Sequence, residues 1–173
     1  MTPPLHVTFI CSGNICRSPM AEKMFAHQIS QRGLSGAVQV SSAGTNGWWH
    51  TPGSADPLTA RVLADHGYPT RHRVAQVNPD HLRADLLVAM GAEHVRLLTE
   101  KGVPAQRIRI LRSFDPRPAV HGLDVANPHQ GAKTDFEKVF AVIETALPGL
   151  HAWIDAQLTA RTGTTPLSSK ALR

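Results

Sequence analysis

Cysteine is scarce in this sequence of 173 residues, with Cys11 and Cys16 the only two. A lone C-x4-C pair is too small for a disulfide framework and lacks the second thiolate pair of a structural zinc site. No metal or cofactor is therefore expected. Aromatic residues make up 5% of the chain, basic residues are scattered, and no five-residue block carries one sign of charge. A nucleic-acid-binding surface or arm is not expected from such a pattern. No run of eighteen apolar residues occurs, and the N-terminus has no basic-then-apolar leader. Neither a membrane span nor Sec export is expected, which points to the cytoplasm. No G-x-x-x-x-G-K-[ST] follows a strand-like run, so that form of nucleotide binding is excluded.

What is present describes an ordered domain. Hydrophobic residues at 42% against 18% charged exclude intrinsic disorder for the bulk of the chain. The length suits one domain, taken as residues 1–160, followed by a small polar tail over 161–173 expected to be mobile. A net charge of +5 mildly favours anionic partners. Nothing in the sequence specifies an oligomeric state.

Hydrophobic patterning predicts four short strands, over residues 5–10, 38–43, 85–90 and 108–111. Helices are expected between them. The first starts at Pro19 with Ser18 as its N-cap and carries an apolar stripe of Met20, Met24, Phe25 and Ile29 before stopping at Arg32-Gly33. Others span residues 55–66 and 92–101, and a last one begins near Thr134, where Pro148-Gly149 should kink or restart it. A loop at 44–54 carries Trp48 and Trp49, and a longer loop at 115–131 contains three prolines. Buried strands alternating with helices predict an α/β fold, a four-stranded parallel sheet flanked by helices on both faces.

The chemistry concentrates where the first strand ends. Cys11 opens and Arg17-Ser18 close a C-x5-R-S segment, with Ser12, Gly13, Asn14, Ile15 and Cys16 between them. A strand, a glycine-containing turn and a helix start bring backbone amides around one point, which suits a phosphate. Five intervening residues curl the loop with the thiol beneath the phosphorus, and Arg17 can grip two oxygens in bidentate fashion. The amides, the helix dipole and the guanidinium all favour a thiolate nucleophile. A cysteine at a strand end can also be a small buried hydrophobe, but the arginine, turn and hydroxyl at their spacings favour the phosphate reading.

The stretch from Val7 to Glu22 (VTFICSGNICRSPMAE) closely resembles the N-terminal signature of the low-molecular-weight protein tyrosine phosphatases. Further blocks agree: Ser41-Ser42-Ala43-Gly44-Thr45, the His66-Gly67 to His72 stretch, Leu86-Leu87-Val88-Ala89-Met90, and Asp135-Phe136-Glu137. The likeness covers about residues 5–158. It is strongest to actinobacterial, mycobacterial-type members, through Ser113-Phe114-Asp115-Pro116-Arg117 and Ala141-Val142-Ile143-Glu144. It implies hydrolysis of phosphotyrosine proteins or peptides through a cysteinyl-phosphate intermediate, with inorganic phosphate as product inhibitor. Asn14 is implied to hold the loop through Ser18, Ser42 and His72, and Ser18 to stabilise the departing thiolate. Trp48 or Trp49 would wall the substrate ring. Some related bacterial phosphatases also act outside the cell by routes that need no signal peptide.

One departure stands out. The family's general acid is an Asp in an Asp-Pro-aromatic-aromatic-Gly motif, and here the segment reads Asn127-Pro128-His129-Gln130-Gly131. A carboxamide has no acidic proton to give. Three outcomes follow: a substitute acid from His129 or Asp124, a slowed phosphatase, or a pseudo-phosphatase that only binds phosphotyrosine. Gly91 also replaces an Asp common in relatives. Arsenate reduction on the same fold needs further downstream cysteines, and none follows Cys16. Cys16 is expected either to pack behind the loop or to trap an oxidised Cys11 as a reversible disulfide.

Overall fold

The four apolar runs become four parallel strands: β1 (Leu5–Cys11), β2 (Val38–Gly44), β3 (Leu86–Ala89) and β4 (Ile108–Ile110). The computed structural model describes residues 2–46, 53–117 and 119–163. Strand order is β2-β1-β3-β4, so the chain leaves β1 to one side and later returns to its other side. Cys11 pairs with Gly44 across β1 and β2, while Ile10 pairs with Ala89 across β1 and β3. Reversal of strand order at β1 and β3 opens a crevice at the carboxyl ends of these strands, the usual ligand position in open α/β sheets.

Alternation along β1 divides the core. Val7, Phe9 and Cys11 join one cluster with Leu86 and Val88, whereas Ile10 joins Leu87, Ala89 and Ile108 in the other. The first cluster lies under α1 (Arg17–Gln31), α2 (Pro57–Asp65) and α5 (Lys133–Thr162). The second is covered by α3 (Pro79–Leu82) and α4 (Ala92–Glu100), through Leu82, Val95 and Leu98. Helices therefore flank both faces, as the patterning predicts. Met20, Met24, Phe25 and Ile29 of α1 are all buried. Each contributes on the order of 1.5–3 kcal/mol by leaving water.

Three local expectations need correction. First, α1 starts at Arg17 with Cys16 at the cap position, so Ser18 lies inside the first turn, where its hydroxyl meets Cys11 rather than a helix amide. Second, α5 runs through Pro148 without restarting. Gly149 accounts for the local sequence: a Cβ there would stand 2.2 Å from the Phe114 carbonyl oxygen, so only glycine permits that approach. Third, α3 is absent from the sequence reading because a four-residue helix leaves too short a periodic signal. Asn78 caps it, accepting from the amides of Asp80 and His81.

No helix among the described residues is long and apolar enough to cross a membrane.

Candidate active site

Residues 12–16 connect β1 directly to α1, and the loop's carbonyl groups are taken up by neighbouring segments. Cys11 O accepts from Thr45 N at 2.9 Å, Ser12 O from Asn46 N at 2.9 Å, and Ile15 O from Asp56 N at 2.9 Å. None of the amides of residues 12–16 has a hydrogen-bond acceptor among the described residues. The loop thus spends its acceptors on the scaffold and keeps its donors, which defines an anion cradle. Gly44 makes the curl possible. A Cβ on it would stand 2.6 Å from Ser12 O and 3.2 Å from Asn14 N.

Asn14 holds the centre in the left-handed region, at φ 55°. Asparagine tolerates that conformation better than most residues, and its side chain is fully engaged. Its Nδ2 donates to Ser18 Oγ and to Ser42 Oγ, both at 2.9 Å. Its Oδ1 accepts from Ala75 N at 2.9 Å and lies 3.1 Å from His72 Nε2, which also lies 3.0 Å from its carbonyl oxygen. These include the three partners named from the sequence. Behind them, Ser42 donates to Glu22, whose carboxylate is 3.5 Å from His72 Nδ1. Burial pushes the Glu22 carboxyl upward, but hydrogen bonds with His72 and Ser42, together with Lys23, hold it below its ordinary value.

Cys11 and Ser18 meet at the base of the loop, with Sγ and Oγ 2.8 Å apart. Arg17 is buried beside them: its Nη1 donates to the Val125 carbonyl at 3.0 Å, and its Nε has no partner among the described residues. A buried guanidinium with an unspent N–H at the rim of the cradle fits an oxyanion. Cys16, also buried, has its thiol pushed up to about 12 by burial and by the Asp56 and Cys11 charges, with Arg17 opposing. It is held as a neutral thiol.

The cleft above the loop has a volume of about 450 Å³ and is lined by Cys11, Ser12, Gly13, Ile15, Cys16 and Arg17, with Asn46, Asn127 and His129 opposite. Asn127 and His129 thus face Cys11, as the sequence reading requires. Asn127 Oδ1 accepts from His129 N at 3.2 Å, so its carboxamide shapes its own turn. His129 Nδ1 is 3.5 Å from Asp56 Oδ2. Asp124 stands elsewhere. Its Oδ1 accepts from Ala92 N at 2.9 Å at the start of α4, where Gly91 offers no side-chain cap. The Asp124 carboxyl carbon would lie 3.0 Å from a Cβ at position 91, so Asp124 fills the space beside that glycine. Trp48 and Trp49 lie outside the described residues.

His94 escapes the sequence reading. It is buried in the first turn of α4, and its Nε2 lies 2.9 Å from Ser12 Oγ. Burial, reinforced by the Arg17 charge and opposed by Asp124, lowers its pKa to about 4. A neutral imidazole therefore supports the second residue of the loop. The available signal was topological: a polar residue opening the helix after the strand beside β1 falls at the same crevice.

Comparison with known proteins agrees with this geometry. A family model described as low molecular weight phosphotyrosine protein phosphatase matches residues 6–160. The low molecular weight protein-tyrosine phosphatase A of Mycobacterium tuberculosis is 63% identical over 163 residues, covering 94% of this chain and 99% of that protein. A low molecular weight protein-tyrosine-phosphatase from Streptomyces coelicolor is 44% identical over 162 residues, covering 90% and 97% respectively. Among solved structures, YfkJ from Bacillus subtilis superposes with a TM-score of 0.81 at 30% identity, covering 90% of this chain and 98% of that one. With an uninterrupted Cys11–Ser18 loop at the crevice of a matching fold, the chain belongs to the low molecular weight phosphotyrosine protein phosphatases, an enzyme family.

Proposed function

We propose that the chain hydrolyses phosphotyrosine in proteins or peptides through a phosphocysteine on Cys11, at a rate limited by the missing acid at Asn127. The observation that carries this reading is the Cys11–Ser18 contact of 2.8 Å inside a loop with unspent amides and a buried arginine.

The loop amides and Arg17 hold the non-bridging oxygens, and the Cys11 thiolate attacks phosphorus in line with the phenolic oxygen. The P–O bond breaks as the P–S bond forms. The leaving phenolate needs a proton, and no carboxylic acid is among the described residues that line the cleft. Proton donation of this kind is worth roughly 10²–10⁴-fold, so its loss slows the first step without weakening phosphate binding. Water then attacks phosphorus, the P–S bond breaks, and Ser18 donates to the sulfur as it regains its negative charge. Inorganic phosphate occupies the same cradle and competes as product.

Asn127 also motivates a second reading, a phosphotyrosine-binding pseudo-phosphatase. Rapid mixing with an activated aryl phosphate separates the two. Hydrolysis gives a stoichiometric burst of phenol that disappears in Cys11→Ser. Micromolar capture of a phosphopeptide without phosphate release over hours would instead establish the binder.

A further inference from the structure

Three donor atoms of different chemistry converge beside the phosphate loop: Cys16 Sγ, a carboxylate oxygen of Asp56 and a ring nitrogen of His129, all within 4.8 Å of one another. They come from three separate segments, which is why no spaced motif announces them. We propose that Cys16, Asp56 and His129 form a zinc-binding site beside the phosphate loop.

The donor set selects the metal. Thiolate, imidazole and carboxylate together suit Zn²⁺, whereas Mg²⁺ and Ca²⁺ favour oxygen ligands alone. Zinc bonds of about 2.0–2.3 Å place tetrahedral ligands about 3.3–3.8 Å apart. The His129–Asp56 edge already has that spacing, at 3.5 Å. The edges to Cys16 are within 4.8 Å, and His129, the exposed member of the set, can move to shorten its own, whereas Cys16 is buried.

Asp56 is prepared for the role. Its Oδ1 accepts from Leu58 N at 2.9 Å as the N-cap of α2, while Oδ2 is turned to His129. One oxygen thus anchors the carboxylate and the other can bind metal, the usual division between ligation and outer support. Binding releases the Cys16 thiol proton to solvent as the Zn–S bond forms. Three protein ligands leave a fourth position for water or a phosphate oxygen. The bound ion would fix His129 across the cleft and tie the loop to α2. This site does not depend on which group protonates the leaving phenolate.

The test uses the full chain carrying Cys11→Ser, so that the other thiol of the loop cannot bind metal. Competition with a chromophoric chelator should show one Zn²⁺ bound with micromolar or tighter affinity, and Co²⁺ should produce a thiolate-to-cobalt charge-transfer band. Adding Cys16→Ser should abolish the band, and adding His129→Phe or Asp56→Asn should weaken Zn²⁺ binding at least tenfold. Asp56→Asn retains a capping residue for α2, and His129→Phe alters an exposed position, so these two carry the test if Cys16→Ser unfolds by circular dichroism. Absence of zinc binding in Cys11→Ser, a band that survives Cys16→Ser, or unchanged affinity in His129→Phe would overturn the proposal.

Discussion

Asn14 Nδ2 donates to Ser18 Oγ over 2.9 Å, and that same oxygen lies 2.8 Å from Cys11 Sγ. Because Ser18 accepts from Asn14, its single proton is left for the sulfur. Removing the hydroxyl should therefore cost the thiolate a charge-assisted hydrogen bond. Ser18→Ala is expected to lower kcat by roughly 10–100-fold, the equivalent of about 1.5–3 kcal/mol. Breakdown of the P–S bond should suffer, so quenched-flow mass spectrometry should detect more phosphocysteine than in wild type. Vanadate affinity should change little.

His94 supplies a pH signature. Its ring is lowered to about 4 against an unfolded value of 6.5, so the folded chain binds fewer protons between these limits. Stability contributed by neutral His94 is fully present above pH 6.5 and is lost as the pH falls towards 4. The loss amounts to about 3 kcal/mol across that window at most. His6, His81 and His151 are lowered as well, chiefly by burial, and add slope of the same sign. Denaturant unfolding of His94→Asn should retain their share of the acid sensitivity and lose about one proton of uptake. An unchanged slope would remove His94 from this role.

Gly44→Ala tests whether the end of β2 shapes the cradle. The added methyl would collide with Ser12 O at 2.6 Å, a backbone atom that cannot swing aside. Vanadate affinity should fall at least tenfold, with stability lowered by about 1–3 kcal/mol, the usual cost of overpacking. Binding equal to wild type would mean that the loop tolerates displacement.

Cys16 offers a test of redox protection. Both thiols are buried and free, and both line the cleft. Peroxide should convert Cys11 to a sulfenic acid, with which the Cys16 thiol would condense to form a disulfide and water. Activity lost to peroxide should return fully with dithiothreitol in wild type but not in Cys16→Ser. Equal recovery in the two proteins would assign Cys16 to packing alone.

The sequence carried the cradle almost completely because Cys11, Asn14, Arg17 and Ser18 lie in one continuous segment, where spacing alone determines their meeting. The parallel sheet was legible for a related reason: residues 86–90 are apolar on both faces, and residues 5–10 place Leu5, Val7 and Phe9 on one face with Ile10 on the other. His94 and Asp56 were not legible, since each reaches the site from a different crossover and has no local motif. Asp124 misled for the converse reason. Its closeness to Asn127 along the chain suggested a substitute acid, whereas its carboxylate serves the bare N-terminus of α4 beside Gly91. Ser18 was assigned to the helix cap by local preference, yet the thiol of Cys11 outcompetes that role.

An intact cradle with Asn127 at the acid position should hold phosphate normally yet turn over slowly whenever the leaving phenolate needs a proton. A leaving-group series of aryl phosphates measured with wild type and Asn127→Asp tests it most directly. In wild type, kcat should fall steeply as the phenol becomes less acidic. In Asn127→Asp the dependence should flatten, with a gain of about 10²-fold or more on phosphotyrosine-like substrates. A flat dependence in wild type, with no gain in Asn127→Asp and activity abolished by His129→Ala, would contradict the claim and assign the proton to His129.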